Sequence, residues 1–238
     1  MSLVYERVLL KLSGESLRGA QQASPYCDAS MQVLARQIQC AVKEGVGLGI
    51  VMGGGNVFRG AQGQSAWLHR HTADSIGMMA TMMNGLALRS LLDHVGVQCW
   101  LSSSIALHGI VPAFDPEAMN AALARGDVLL FSGGTGHPYV STDTASAFRA
   151  QQMGATVLLK ATQVDGVYTA DPKVDATAER MHQLTYEEVL SKDLRVMDAT
   201  SISFCREYKI PILVGKLGQA EDALVRVARG ERIGTLVC

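Results

Sequence analysis

The sequence lacks the cysteine patterns of a disulfide-stabilised or zinc-binding protein. It has an odd number of widely spaced cysteines and no Cys-x-x-Cys pair: Cys27, Cys40, Cys99, Cys205 and Cys238. A disulfide framework uses cysteines in pairs, and a structural zinc site draws on closely spaced ones. We therefore expect free thiols in a reducing compartment.

Long apolar runs and a strong excess of charge are absent too. No stretch approaches the roughly 20 apolar residues that span a bilayer. Tyr5, Glu6, Arg7 and Lys11 interrupt the first segment, which argues against the apolar core of a signal peptide. The formal net charge is only -1, so binding of nucleic acid through bulk positive charge is not expected. These absences predict a cytoplasmic protein with neither a membrane nor a nucleic-acid partner, and they leave room for small anionic ligands.

What the chain does contain is enough apolar sequence for a large core. Hydrophobic residues make up 48% of its 238 residues, and charged residues only 18%. Short runs rich in Val, Ile and Leu recur at residues 7–12, 47–52, 97–101, 128–131, 156–159 and 211–214. They are mainly apolar rather than alternating, which is typical of strands that are covered on both faces.

Helical patterns lie between these runs. The clearest spans residues 29–43, where Val33, Leu34, Ile38 and Val42 follow a helical period and Asp28 is placed to cap the first turn. Further patterns cover residues 74–95, 142–153 and 220–228. Strands that alternate with helices predict a single α/β domain over residues 1–238, with a mainly parallel sheet between helices.

Three glycine-rich turns follow predicted strands, at Ser13-Gly14, at residues 53–55 and at residues 133–136. Ligands of open parallel sheets bind outside the carboxyl ends of the strands. We therefore expect the three turns to form one ligand-binding rim.

The first two turns carry cationic side chains. Lys11 ends the first strand beside Gly14, where its ammonium and the turn amides could face a phosphate, although a lysine that only extends into solvent fits equally well. The pattern is not a Walker A loop, because Gly-x-x-x-x-Gly-Lys-Ser/Thr is absent. Three consecutive glycines, followed by Asn56 and Arg59, favour a backbone that a phosphoryl group approaches closely.

The later candidates are a polar loop, a second lysine and an acid. Thr142 or Asp143 is placed to cap the helix after the third turn, and capping is compatible with ligand binding. Lys160 ends another strand, so two ammonium groups could converge on a triphosphate. Asp74 heads a helical pattern. From the residues alone, an acid that stabilises the first turn of the helix is a simpler interpretation than an acceptor for sugar hydroxyls. Together these residues predict a phosphate-handling protein without an evident general base, which an anionic acceptor would not need.

Five motifs occur in order along the chain: Lys-Leu-Ser-Gly-Glu, Gly-Gly-Gly-Asn-x-Phe-Arg-Gly, Gly-Thr-Gly-x-Pro, Thr-Asp, and Lys-Ala-Thr-x-Val-Asp-Gly-Val-Tyr-x-x-Asp-Pro. The set resembles the bacterial UMP kinases of the amino acid kinase superfamily, from about residue 4 to residue 236. The resemblance implies a three-layer α/β/α sandwich that transfers a phosphoryl group from ATP to UMP, within pyrimidine nucleotide biosynthesis. It also implies an acceptor part at about 1–155 and an ATP-binding part at about 156–238.

The resemblance assigns residues to both substrates. The implied catalytic residues are Lys11, Arg59, Asp143 and Lys160, with Asp143 as the organiser of the lysines. The implied ATP contacts are Lys11, Leu12, Ser13, Gly14, Gly55, Arg59, Thr162, Tyr168 and Asp171. The implied UMP contacts are Gly54, Asp74, Thr135, Gly136, His137, Pro138, Tyr139, Val140, Ser141 and Thr142. In this assignment Asp74 holds the ribose, which replaces the simpler interpretation given above.

The family also implies a cofactor, an assembly and effectors. Mg²⁺ would be bound mainly through the ATP phosphates, with no dedicated metal ligands on the protein. A homohexamer is implied, and the methionine-rich stretch at residues 78–83 is a candidate dimer surface. UTP is expected as a feedback inhibitor. Activation by GTP is not expected, because Asp93, Trp100 and Asp127 stand where some members carry basic residues.

Two alternatives stay open at this point. A sister kinase that phosphorylates a carboxylate or carbamate would share the fold, but Asp74 at the acceptor site suits ribose hydroxyls and would repel the carboxylate of such an acceptor. A nucleotide-sensing or storage protein that has lost its activity would also share the fold, and the presence of Lys11, Arg59, Asp143 and Lys160 together argues against it.

Overall fold

A computed structural model describes residues 2–18, 24–59, 67–170, 174–175, 177–194 and 196–238. Each of the six apolar runs overlaps a strand. They are β1 (Arg7–Leu12), β2 (Gly47–Met52), β3 (Cys99–Ser103), β4 (Val128–Ser132), β5 (Val157–Ala161) and β9 (Ile212–Gly215). The largest shift is in β3, which begins two residues later than predicted because the Val97 amide still bonds to the Leu92 carbonyl of the preceding helix, at 2.9 Å.

The strands form one eight-stranded sheet in the order β3-β4-β2-β1-β5-β9-β10-β8, where β8 is Gln183–Leu184 and β10 is Gly234–Val237. All neighbouring pairs are parallel except β9 and β10. Two further short strands, β6 (Val167–Tyr168) and β7 (Arg180–Met181), form a separate antiparallel ribbon. The mainly parallel sheet is thus confirmed.

The four predicted helices are present with different ends: α2 (Asp28–Lys43), α3 (Arg70–His94), α5 (Thr142–Gln152) and α8 (Ala223–Ala228). Asp28 is the first residue of α2 and does not cap it; Cys27 holds the capping position. Asp74 lies in the second turn of α3, because the helix begins four residues earlier than predicted. The cap of α5 is neither Thr142 nor Asp143 but Ser141, whose extended backbone lets Oγ accept from the amides of Asp143 and Thr144.

Four helices were not predicted from the sequence: α1 (Glu15–Arg18), α4 (Pro116–Arg125), α6 (Tyr186–Ser191) and α7 (Ala199–Glu207). Helix α4 has clear local signals. Asp115 accepts from the amides of Glu117 and Ala118, Pro116 occupies the first turn, and Gly126 ends the helix with φ 83°. Its apolar positions are few, which is why the periodicity did not reveal it.

The core has two halves, one on each face of the sheet. Val8, Leu10 and Leu12 of β1 pack with α2, α3 and α8, whereas Leu9 packs with α4 to α7 on the opposite face. Because successive strand side chains point to opposite faces, a strand buried on both faces must be apolar at every position. The result is a three-layer α/β/α arrangement. In the described ranges, no helix is both long and apolar enough to cross a bilayer.

Candidate active site

The most concentrated charge at the carboxyl edge of the sheet is a group of three side chains, which we call the triad: Lys11, Asp143 and Lys160. The two lysines lie directly opposite each other on the adjacent parallel strands β1 and β5. Asp143, in the first turn of α5, receives Lys11 Nζ on Oδ1 at 2.6 Å and Lys160 Nζ on Oδ2 at 2.8 Å. The three side chains are only 11%, 14% and 17% exposed, so water screens these charges weakly.

Burial and charge act in opposite directions on the triad. Burial by itself would raise the pKa of Asp143, but Lys11 and Lys160 outweigh it and the net pKa is below the ordinary aspartate value. Burial lowers the pKa of Lys160, with Asp143 opposing this effect. Lys160 also donates to the Val196 carbonyl at 2.6 Å. Two ammonium groups against one carboxylate leave a net positive charge, which is suited to an incoming phosphate.

The two glycine turns beside the triad are packed directly against each other. A Cβ on Gly14 would lie 2.2 Å from Asn56 Oδ1 and 2.8 Å from the Gly53 carbonyl, so only glycine fits there. Asn56 exchanges two amide hydrogen bonds with Asn84 of α3, at 2.8 and 2.9 Å, and Asn84 also donates to the Gly53 carbonyl at 2.7 Å. Both amides are buried, so this network holds the turn in a single shape. Asn84 was not singled out from the sequence, because a polar residue inside a helical pattern carries no such signal.

Arg59 follows the triple-glycine turn and contacts two separate segments, that turn and the start of α1. Its Nε donates to the Gly55 carbonyl at 3.3 Å, and its guanidinium pairs with Glu15 at the start of α1. The pair joins the first glycine turn to the second. About half of the Arg59 side chain is exposed, so the guanidinium is accessible to a ligand.

A cavity of about 150 Å³ opens beside these turns. Five of the ten residues expected to contact UMP line it: Gly54, Asp74, His137, Val140 and Thr142. Gly55 also lines this cavity, although it was expected on the ATP side. Met78 and Thr81 of α3 complete one wall, and neither was among the predicted contacts.

Asp74 joins helix α3 to the loop between β4 and α5, which we call the acceptor loop (residues 133–141). Both carboxylate oxygens accept from Arg70 Nε, at 3.0 and 2.9 Å. Oδ2 also accepts from the Tyr139 amide at 2.9 Å. Tyr139 has φ 68°, an unusual conformation for a residue with a side chain, which this bond helps to hold.

The other predicted acceptor-loop residues shape the loop itself. Thr135 Oγ1 accepts from the His137 amide at 3.3 Å, while Gly136, at φ 83°, turns the chain and Pro138 follows. Ser141 caps α5 and donates to Asp198, and Thr144 Oγ1 donates to the same carboxylate at 2.8 Å. Asp198 therefore fixes the start of α5, a role that sequence reasoning did not assign to it.

A second, larger cavity of about 790 Å³ is lined mainly by α1, α2 and the segments that follow β5 and β9. Of the predicted ATP contacts, Leu12 and Thr162 line it, together with unpredicted residues that include Ser16, Gln37 and Lys216. Ser13 and Gly14 lie in the adjoining turn, where Ser13 Oγ is 3.2 Å from Ser16 Oγ. Tyr168 lies on the β6–β7 ribbon and donates to Asp165 at 2.7 Å; it does not line the cavity. Asp171 lies outside the described residues.

Each triad residue has a direct chain neighbour in one of the cavities. Thr142, next to Asp143, lines the smaller cavity. Leu12 and Ala161, next to the two lysines, line the larger one. The triad therefore lies one residue along the chain from the lining of each cavity, although none of its own three side chains lines either cavity.

The described residues offer little to hold a metal ion directly. Within them, no three His, Cys, Asp or Glu side chains converge into a ligand group. Both oxygens of Asp143 are already paired with lysines.

Comparison with known proteins gives a consistent result. The model of the amino acid kinase family matches residues 6–216. A uridylate kinase of Hydrogenovibrio crunogenus is 44% identical over 237 residues, which cover 100% of both chains. The crystal structure of UMP kinase from Bacillus anthracis superposes with a TM-score of 0.93 at 33% identity, covering 98% of this chain and 96% of the other. That of UMP kinase from Ureaplasma parvum has a TM-score of 0.91 at 34% identity, covering 100% and 99%.

Proposed function

The chain belongs to the amino acid kinase family, and from that membership we propose that it transfers the γ-phosphoryl group of ATP to the phosphate of UMP, giving ADP and UDP. The observation that carries the proposal is the full-length relationship to a uridylate kinase. UDP is a precursor of UTP and CTP, so the activity belongs to pyrimidine nucleotide biosynthesis.

UMP would occupy the smaller cavity. Asp74 would accept from the ribose hydroxyls, since a carboxylate suits hydroxyl donors and repels an acceptor that is a carboxylate or carbamate. Thr142 and the amides near Gly54 would face the UMP phosphate, and Thr135, Gly136, Pro138, Tyr139 and Ser141 would contact UMP or shape the loop around it. Every residue that lines this cavity falls within the proposed acceptor part, about 1–155.

ATP would occupy the larger cavity and enter as its Mg²⁺ complex. Leu12 and Thr162 line this space, and Lys11, Ser13 and Gly14 lie next to it with groups that suit phosphate oxygens. Tyr168 and Asp171 are proposed for the adenosine end. Because the cavity is also lined by residues of α1 and α2, we propose that the ATP-binding part draws on these helices as well as on the segment of about 156–238.

The reaction would be a direct in-line displacement without a covalent intermediate. An oxygen of the UMP phosphate attacks the γ-phosphorus while the bond to the β–γ bridging oxygen breaks, and ADP leaves. The attacking oxygen is already anionic, so no general base is required. Lys11, Lys160 and Arg59 would stabilise charge on the transferring group, and Asp143 would hold the two lysines in place.

Effectors, assembly and location are finer parts of the same proposal. UTP would inhibit by occupying the acceptor cavity with its uridine. GTP would not activate, because Asp93 and Asp127, which pair with Arg89 and Arg125, place acidic groups where a triphosphate would have to bind. A homohexamer would cover the exposed Met79 and Met83 of α3. The five cysteines are all free thiols, which fits a reducing cytoplasm.

A coupled ADP-release assay with Mg-ATP tests the proposed function. UMP, CMP, dUMP, acetylglutamate, aspartate and carbamate are offered separately. We expect turnover with UMP, loss of turnover in Lys160→Ala, and retention of turnover in the matched control Lys192→Ala, whose lysine is a surface residue paired with Glu188. Turnover with a carboxylate or carbamate would assign the protein to a sister kinase, and no turnover with any acceptor would favour a nucleotide-binding role.

A further inference from the structure

Arg149 is a buried cation that forms no ion pair with the carboxylates in the described part of the chain. It lies on α5 with 8% of its surface exposed, and no carboxylate of the described residues is within ion-pair distance of it. Burial lowers its pKa to about 10, so it remains charged at neutral pH. A buried charge that lacks an ionic partner destabilises a fold, and the contacts that Arg149 makes are therefore informative.

Those contacts connect Arg149 to one hydroxyl. The guanidinium stacks over the Phe114 ring, 3.7 Å from its centroid. NH1 donates to Gln152 Oε1 at 2.7 Å, and NH2 donates to Ser104 Oγ at 2.8 Å. Ser104 Oγ in turn donates to the Gly134 carbonyl at 2.7 Å. A hydroxyl that accepts from a cation becomes a stronger donor, so the two bonds reinforce each other.

The acceptor loop depends on this support because three of its first four residues are glycines, whose backbone has the greatest conformational freedom. Gly133, Gly134 and Gly136 all have positive φ, at 74°, 56° and 83°. A glycine-rich segment has more conformations to lose than any other when it is ordered. The turn at Ser104 fits against it closely: a Cβ on Gly133 would lie 3.0 Å from the Ser104 amide, and one on Gly136 would lie 3.4 Å from Ser104 Cβ.

The two hydrogen bonds through Ser104 also connect the beginning of the acceptor loop to the helix that follows its end. Gly134 stands near its beginning, whereas Arg149 is carried by α5, the helix that follows its end. Thr142 at the start of that helix and Gly134 both line the smaller cavity. We infer that Ser104 and Arg149 are positioning residues, which hold the acceptor loop in the shape that binds UMP. This inference rests on the proposed function and deepens it.

The test compares Ser104→Ala, Arg149→Met and the double variant with the wild type in steady-state kinetics. Methionine keeps the apolar contact with Phe114 while it removes the charge and both donors. We expect each single variant to raise the KM for UMP about fivefold to tenfold, as loss of one hydrogen bond predicts, with the KM for ATP unchanged. The double variant should be no worse than the singles, because all three break the same connection.

Tyr186→Phe is the matched control. Its hydroxyl is buried and donates to a backbone carbonyl at 2.6 Å, as Ser104 does to Gly134, but the carbonyl is that of Ile210, which is not part of the acceptor loop. We expect this variant to lower the melting temperature without changing the ratio of the two KM values. Calorimetric titration with UMP alone should show the same weakening in Ser104→Ala.

The outcomes separate the two proposals. A wild type that turns over UMP, with both KM values unchanged in Ser104→Ala, would overturn the positioning role and leave the proposed function intact. Equal increases of both KM values, or additive effects in the double variant, would also overturn it. A wild type that neither binds nor phosphorylates UMP would overturn both. If Arg149→Met does not fold, Ser104→Ala, which removes a single oxygen atom, decides the question.

Discussion

Replacement of Asp143 by asparagine is the most direct test of how the site is built. Asparagine has nearly the same shape, so the variant removes the negative charge and leaves the packing in place. Lys11 and Lys160 then face each other without a carboxylate between them. At a separation of roughly 6 Å and an effective dielectric constant of about 20, two such charges repel by about 3 kcal/mol.

Measured effects of breaking buried ion pairs lead to a similar magnitude. Removal of one partner of a buried pair costs about 3–5 kcal/mol. For a chain of this length, 1 kcal/mol changes the melting temperature by about 2–4 °C, so we expect Asp143→Asn to melt about 6–20 °C below the wild type. The kcat should fall on the order of 100-fold, because displacement of the catalytic lysines by about 1 Å is sufficient for such a loss.

The pH dependence of this stability difference follows from the direction of the pKa shift. The pKa of Asp143 is lower in the folded protein than in the unfolded chain. Its stabilising contribution is therefore complete above the unfolded value of about 3.9 and is lost as the pH falls through the folded value. Urea unfolding at several pH values should show wild type and variant differing fully above about pH 5 and converging in acid.

Mg-ATP should partly rescue the variant. Its phosphates supply the negative charge that the lysines have lost, so ATP should raise the melting temperature of Asp143→Asn more than that of the wild type. Asp127→Asn is a suitable control. Like Asp143, Asp127 is little exposed (13%) and pairs closely with a cation, Arg125 at 2.6 Å; unlike the two lysines, Arg125 is 60% exposed and stays hydrated when the carboxylate is removed. A variant of Asp143 that melts like the wild type and keeps its kcat would refute this account of the triad.

Three further predictions concern the acceptor, the pH profile and the core. We expect the wild type to prefer UMP over dUMP by about 10- to 100-fold in kcat/KM, because a hydrogen bond to a charged group is lost with the 2′-hydroxyl. Asp74→Asn should reduce this preference. A wild type that uses both acceptors equally would contradict the ribose contact. Burial lowers the pKa of Lys160 despite the opposing effect of Asp143. The alkaline decline of kcat should therefore begin at a pH below the ordinary lysine pKa of about 10.4. In Lys160→Arg any remaining activity should persist to higher pH, and an unchanged alkaline limb in that variant would assign the decline to another group. Leu10→Ala, at a fully buried position of β1, should lower the free energy of unfolding by about 2–5 kcal/mol in urea titrations; a loss below about 1 kcal/mol would mean that the central strand is less tightly packed than described.

Local sequence was sufficient to identify the layers of the fold. Runs such as 8–10 and 48–52 are almost entirely apolar rather than alternating, which is typical of a strand covered on both faces. The glycine turns and the lysines that end β1 and β5 were also evident, because side chain and turn are neighbours in the chain. The helices with few apolar positions, such as α4, were not found from periodicity, although Asp115, Pro116 and Gly126 mark its two ends.

The residues that complete the site come from distant parts of the chain, and their roles depend on tertiary structure. The sequence shows two lysines at strand ends; only the strand order, which makes β1 and β5 neighbours in register, sets Lys11 opposite Lys160. Asn84 bonding to Asn56, and Arg149 reaching Gly134 through Ser104, join segments 28 to 45 residues apart. Apolar periodicity and turn chemistry act between near neighbours and can be recognised in the sequence itself. A hydrogen bond between remote side chains leaves no such pattern, because it exists only after the sheet and its helices have packed.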